Sequence, residues 1–226
     1  MLVYKKIYMT RKKQVLMIAY NKLDNFGSSI IHKSKLYDIL KVIILEYSNI
    51  NIMIDNLKKQ NKIKYVFEDY FYILNSDEQV KGYVKYSINE IVFLILNKLK
   101  IDWHIGLYSA LLINNVECKY DLFHQIPTTT IIINSKYSKT IQILNQKYIF
   151  KKQQNYRLIG IKKKITKNRI TFYYSDIERT YLEYIYYTHS SNIDQNTLNI
   201  NKINEYLQYF PKTLSNRVLN GAFTNE

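Results

Sequence analysis

The stretch Ser48–Asn75, SNINIMIDNLKKQNKIKYVFEDYFYILN, changes period in its middle, and that change decides the fold. Its first half places Ile50, Met53, Ile54 and Leu57 at the i, i+3, i+4, i+7 spacing of a helix with one buried face. Ser48 is the expected N-cap, because its hydroxyl accepts from an orphan N–H of the first turn. Asn61 tolerates left-handed dihedrals and is expected to close the helix after Gln60. Ile63, Tyr65 and Phe67, then Tyr70, Tyr72 and Leu74, alternate as two short strands around Glu68-Asp69, which reads as a hairpin. A polar-faced helix running straight into a hairpin is the second half of a winged helix-turn-helix. An amphipathic helix beside any small sheet shares this pattern. The exposed face holds Asn49, Asn51, Asp55, Asn56, Lys58 and Lys59, residue types that suit a helix entering a DNA major groove. Lys62 and Lys64 come just after it, where the groove wall brings phosphates close.

Upstream, Thr10 is expected to cap a first helix through about Leu23, with Val15, Ile18, Ala19 and Leu23 on one face. Arg11-Lys12-Lys13 then falls at its start, where the macrodipole disfavours cations. Gly27-Ser28-Ser29 breaks the helix, and Ser29–Ile31 is the expected third strand, paired with the hairpin. Ser34 is expected to cap a second helix that turns Leu36, Ile39, Leu40 and Ile43 inward. Helix, strand, helix, helix and two strands make the winged-helix order over residues 1–75.

The polar segment NSDEQVK, Asn75–Lys81, reads as a break between domains. A second domain, 80–226, is expected to be mixed α+β. Ser87-x-x-Glu90 is a capping box that opens a helix to about Leu99, burying Ile91, Phe93, Leu94 and Leu96. Trp103–Asn114 reads as a turn and a short buried helix, and Thr128–Asn134 as a central strand. Ile141–Ile143, Tyr148–Phe150, Tyr156–Ile161 and Arg169–Tyr174 are further expected strands. Ser175-x-x-Glu178 is a second capping box, opening a helix through about Tyr187. Heptads, solenoid repeats and low-complexity linkers are absent.

A chain of 226 residues, 47% apolar, has material for one large core or two modest ones. Its one cysteine, Cys118, excludes an intramolecular disulfide and multi-cysteine zinc sites. His32, His104, His124 and His189 lack ligand-like spacing and read as ordinary polar or core residues, so no metal or cofactor is expected. The net charge of +15 points to nucleic acid. Lysine, isoleucine, asparagine and tyrosine are also heavily used, as in proteins from AT-rich genomes, so position matters more than total. Residues 1–75 hold 13 lysines and arginines against 6 acids, and residues 76–226 hold 20 against 12. The first third is therefore the more basic per residue, which supports DNA binding there. Met1–Thr10 lacks the apolar core of a signal peptide, and runs such as Ile91–Leu96 are far short of a membrane span. A soluble, cytoplasmic protein is expected.

Glycine-rich phosphate loops, HExxH and G-x-S-x-G are absent. Asp176-x-Glu178 beside Arg179 is the nearest approach to a catalytic group, since two carboxylates hold magnesium in nucleases. The capping box explains the same residues with local roles, so an enzyme is not expected. The 23 tyrosines offer surfaces for stacking on bases or, in so biased a composition, core and half-buried positions.

Together these pieces resemble the AbiEi family of antitoxins and transcriptional regulators from type IV toxin–antitoxin loci, from about Val15 to Val218. IIHKSKLYDIL…IDNLKKQNKIKYVFEDYFYIL looks like the family's winged helix. WHIGLYSALLINN is similar to its aromatic-Ser-x-x-Ala-Leu helix, here with Trp103, Ser109, Ala110 and Leu111 in altered spacing. YYSDIERTYLEYI, Tyr173–Ile185, looks like its acidic-Glu-Arg-Thr helix start and is the most specific match. The chain departs from the family at the wing tip, where Glu68-Asp69 replaces arginine and glycine. It also places Ile52 on the recognition helix, to meet a thymine methyl or to be buried. The resemblance implies autoregulation by binding double-stranded operator DNA. It further implies a second domain that counteracts a nucleotidyltransferase-like toxin without need of direct contact, and it allows a homodimer. The rivals are a stand-alone regulator of the same architecture and a small metal-dependent nuclease.

Overall fold

The computed structural model describes residues 2–43, 49–116, 129–154, 157–191 and 193–221. The chain is α+β and divides into two compact units, Met1–Ile95 and Leu96–Glu226. Among the described residues no helix is long and apolar enough to cross a membrane.

In the first unit, α1 (Leu2–Asp24) precedes β1 (Ile30–His32), α2 (Lys33–Lys41), α3 (Ile50–Lys59), β2 (Ile63–Tyr65) and β3 (Tyr70–Ile73). The three strands form an antiparallel sheet in the order β1-β3-β2. Ile31 faces Phe71 on one side of β3, and Ile63 faces Ile73 on the other. The expected third strand forms one residue later than expected, although the Ser29 carbonyl still accepts from Ile73 N–H at 2.9 Å. Met53, Ile54 and Leu57 of α3 are buried against Leu36 and Leu40 of α2 and against Val15, Leu16, Ala19, Tyr20 and Leu23 of α1. The α1 stripe is thus rotated from the expected one: Ile18 is exposed, and Leu16 and Tyr20 take its place. Helix α1 also begins well before Thr10, so Thr10 is an interior residue and Arg11-Lys12-Lys13 lies mid-helix, away from the N-terminal dipole.

The segment Asn75–Lys81 is not a free linker. It forms α4 (Ser76–Lys81), with a complete Asn75–Glu78 capping box. Gln79 Nε2 donates to the Leu74 carbonyl at 2.8 Å, and Tyr72 OH bonds to Glu78, which ties the helix back to the sheet. The division accordingly falls later, within α5 (Ile88–Lys98), instead of between 75 and 80. The Ser87–Glu90 capping box forms as expected, with Ser87 N–H donating to Glu90 Oε2 at 2.8 Å and Glu90 N–H to Ser87 Oγ at 3.3 Å.

The second unit continues with β4 (Trp103–Ile105), α6 (Leu107–Asn114), β5 (Thr129–Asn134), β6 (Lys139–Ile143), β7 (Gln146–Lys152), β8 (Ile161–Ile165) and β9 (Thr171–Ser175). Helices α7 (Ile177–Thr188), α8 (Ile200–Leu207) and α9 (Lys212–Gly221) complete it. The six strands form a mixed sheet in the order β6-β7-β5-β4-β9-β8, with β5 and β4 central. Ile131 and Ile133 of β5 pack against Leu107 and Leu111 of α6, Leu182 and Ile185 of α7, and Leu207 of α8.

Two expectations shift here. Trp103–Ile105 is a buried strand instead of a turn, held antiparallel to β5 with His104 opposite Ile133. The expected strand Tyr156–Ile161 does not form: residues 157–160 are turn and coil, Tyr156 lies outside the described residues, and β8 begins only at Ile161. Lysine-rich IKKKI carries no strand period in the sequence because it is an edge strand exposed on both faces. Thr128, the expected start of β5, also lies outside the described residues.

Candidate nucleic-acid interface

Helix α3 is capped at both ends by its own sequence. Asn49 Oδ1 accepts from Asn51 N–H at 2.9 Å, taking the role expected of Ser48, which lies outside the described residues. At the other end Asn61 is left-handed, with φ of 53°. Lys62 N–H reaches the Leu57 carbonyl at 2.9 Å and Asn61 N–H the Lys58 carbonyl at 2.9 Å, the paired bonds of a Schellman motif. The expected closure at Asn61 therefore forms. Helix α2 is capped by His32, whose Nδ1 accepts from Ser34 N–H at 3.3 Å, and not by Ser34.

The hairpin is set by a turn with both central residues left-handed, Glu68 at 52° and Asp69 at 59°. Tyr70 N–H donates to the Phe67 carbonyl at 3.0 Å across it. This is a type I′ turn, whose twist matches that of the two strands. Asp69 is also anchored: its carbonyl accepts from Lys33 N–H at 2.7 Å, and its carboxylate lies 3.9 Å from Lys33 Nζ. The hairpin tip is thereby fixed to the start of α2.

The residues expected to meet DNA divide into two groups. Asn49, Asn51, Ile52, Asp55, Lys58 and Lys59 are exposed, Ile52 at 47% of its surface. Asn51 Oδ1 accepts from Tyr37 OH on α2, a contact that ties the amide to the neighbouring helix. Lys58 Nζ lies 3.3 Å from Asp55 Oδ1 and 5.6 Å from the centre of the Phe71 ring. Between α2, α3 and the hairpin runs a groove lined by Lys33, Tyr37, Asn51, Asp55, Lys58 and Asp69.

Asn56, Lys62 and Lys64 are turned away from the outer face of α3. Asn56 is half-buried, and its sequestered amide nitrogen has no hydrogen-bond partner among the described residues. Lys62 is half-buried, bonded to Gln79 Oε1 and seated 4.2 Å over the Tyr20 ring. Lys64 is half-buried opposite Tyr72 in the hairpin. For the two lysines the cause is the Schellman closure, which reverses the chain at Asn61 and carries Lys62 and Lys64 off the helix axis. Tyr37 and Lys33 were not legible as site residues from sequence. Each reaches the site across a tertiary contact.

The second unit buries a polar network around Asp176, Glu178 and Arg179. Ser175 is the last residue of β9, so the helix cap falls on Asp176, whose Oδ1 accepts from Arg179 N–H at 2.9 Å. The Ser175–Glu178 capping box does not form. Ser175 Oγ instead turns inward, 2.8 Å from Thr180 Oγ1 and 3.1 Å from Glu183 Oε2. Tyr206 OH donates to Asp176 Oδ2 at 2.9 Å, and Lys202 Nζ lies 3.5 Å from Glu178 Oε2. Arg179 is fully buried: Nε donates to Glu183 Oε1 at 2.9 Å, Nη1 to the carbonyls of Arg157 and Ile159, and Nη2 to Gln153 Oε1 at 2.8 Å. Burial raises the Asp176 carboxyl above its ordinary range, against the helix N–H and the Tyr206 hydroxyl. Burial also pushes Glu183 upward, but His104 and Arg179 outweigh it and hold the carboxylate below its usual range. This geometry gives Asp176 and Glu178 bonded structural roles, and among the described residues no three His, Cys, Asp or Glu side chains gather as metal ligands. Arg179 stands out in the sequence through its neighbours and His104 reads there as an ordinary polar or core residue, whereas Glu183, which joins the two, carries no sequence signal.

Compared with known proteins, the sequence matches no family model and no curated protein.

Proposed function

We propose that the first unit is a winged helix-turn-helix DNA-binding domain, with α3 as the helix that enters the major groove. The reading is supported above all by one arrangement. A polar-faced helix, capped at both ends, leads through a Schellman turn into a three-stranded antiparallel sheet whose hairpin is pinned to the preceding helix. Asn51 and Asp55 stand one turn apart near the helix N-terminus, the end that reaches base edges in such domains. Lys58 and Lys59 lie at its C-terminal end, suited to phosphates.

On this reading the protein is a transcriptional repressor that binds the operator of its own operon. With the resemblance to AbiEi proteins, it acts as the antitoxin of a type IV toxin–antitoxin system, its second unit counteracting a nucleotidyltransferase-like toxin. The test uses the full chain on its own upstream DNA and on a shuffled duplex, with growth measured when the adjacent gene is expressed. Selective retention of the upstream duplex and rescue of growth support the reading. Equal binding to both duplexes removes the repressor, and a lack of rescue removes the antitoxin.

A further inference from the structure

The positive charge has a second centre that a division at residue 75 averages away. From 122 to 175 the chain contains 11 lysines and arginines and no acid. The topology gathers much of this charge at one end of the six-stranded sheet. Strands β5, β7 and β8 finish at that end, and β4, β6 and β9 begin there, as the pairings Asn134 with Lys152, Trp103 with Asn134, and Ile165 with Thr171 require. Exposed cations flank these strand ends across the whole sheet: Lys136, Lys152, Lys100, Lys164, Lys167 and Arg169. Asp102 is the one carboxylate in these segments. Five inter-strand steps of ~4.8 Å make the row roughly 24 Å long.

Three features go beyond the shielding of an edge strand, which a single inward charge achieves. Arg169 occupies a left-handed position, φ 61°, in the β8–β9 turn, where glycine is favoured and a long cation is not required by the fold. No ion pair neutralises Lys164, Lys167 or Arg169 among the described residues. Aromatic rings also alternate with the cations. Half-exposed Tyr137 has Lys139 Nζ 4.6 Å and Lys136 Nζ 5.0 Å from its ring centre. Half-exposed Phe172, next to the start of β9, lies cross-strand from Lys164.

We infer that this end of the sheet binds single-stranded nucleic acid, independently of α3. The cations serve the phosphodiester backbone, and the rings select an unpaired strand, since a duplex hides its base faces. An RNA and a DNA strand share this chemistry.

The test uses the full-length protein with 20-nucleotide labelled RNA and DNA strands of mixed sequence and a random duplex, titrated from 50 to 200 mM salt. The variant K164A/K167A/R169A removes three exposed cations and leaves the core untouched. It should weaken single-strand binding at least tenfold and lower the log–log salt slope by about 2. Lys59→Ala in α3 should leave single-strand binding unchanged. Tyr137→Ala should cost roughly tenfold on the strands, with Tyr137→Phe restoring it and the duplex unaffected. A preference for one strand type identifies the source, and equal binding means that the site reads only the shared backbone and base faces. The inference is overturned if the triple variant binds strands like the wild type, if it loses strands and duplex in equal proportion, or if Lys59→Ala abolishes strand binding. A failure of operator recognition leaves this result standing, because the duplex read by α3 is not among the probes.

Discussion

Glu183 and His104 meet inside the second unit, Oε1 2.6 Å from Nε2, with both side chains wholly inaccessible to solvent. Seventy-nine residues separate them in sequence. Burial lowers the His104 imidazole below its ordinary value, against the pull of Glu183, so the ring is neutral at pH 7. A carboxylate only accepts, so the neutral ring presents its Nε2–H. The ionised Glu183 is balanced by Arg179, which also donates to Gln153 and to two backbone carbonyls.

Breaking that balance should be costly. Arg179→Met leaves a buried carboxylate without its cation and strands the carbonyls of Arg157 and Ile159. A loss of about 3–5 kcal/mol is expected in urea denaturation, the usual result of removing one member of a buried ion pair. A loss below about 1 kcal/mol would mean that the network is not closed in solution.

The same pair sets a pH dependence. The folded protein keeps His104 neutral, whereas the unfolded chain protonates it near 6.5. Stability is therefore complete above about pH 6.5 and falls as the pH drops, by up to ~1.4 kcal/mol per unit until the folded ring itself titrates. Glu183, held below its ordinary 4.5, adds a second loss that begins only under that value. Asp176, raised by burial, works in the opposite sense in its own acid range above 3.8. Urea midpoints from pH 8 to 5 should fall for the wild type and stay flatter for His104→Gln. Parallel curves would place the titrating group elsewhere.

Gly106, between β4 and α6, has a negative φ of −126°, so space and not backbone strain explains it. A Cβ there would lie 2.4 Å from Ile133 Cδ1 and 2.8 Å from Glu183 Oε2. Gly106→Ala should destabilise the protein by about 1–3 kcal/mol, as overpacked cores do. Gly82→Ala makes a useful contrast, since a Cβ there meets nothing within 4 Å and only the left-handed φ of 67° opposes it. A thermal midpoint for Gly106→Ala equal to that of the wild type would contradict the packing.

On operator DNA, Asn51→Ala should cost about 1–3 kcal/mol and little on random duplex, as expected of a base-edge contact. Lys59→Ala should weaken both duplexes alike and reduce the salt slope by roughly 1. Lys62→Ala is the internal control: its ammonium is engaged by Gln79 and Tyr20, so the slope should hold while stability drops. If Asn51→Ala weakens both duplexes equally and Lys59→Ala leaves the slope unchanged, another element occupies the groove.

The sequence by itself determined what depends on near neighbours. The helical stripe of Ile50, Met53, Ile54 and Leu57, the closure at Asn61, the hairpin around Glu68-Asp69 and the Ser87–Glu90 box are written within a few residues, where period and side-chain reach act directly. Boundaries were less legible, because competing caps a residue apart have similar local merit. Asn49 stands beside Ser48 and Asp176 beside Ser175, and in the second case the pairing of Ser175 with Ile161 settled the outcome. Tertiary structure alone decided which polar groups face outward. Lys62 and Lys59 are both lysines beside the same helix end, yet one sits over Tyr20 and the other in solvent. Tertiary structure likewise brought His104 to Glu183 and aligned the lysines of separate strands along one sheet end. Strand order and register are long-range properties, set by which apolar faces can be buried together, and no local spacing encodes them.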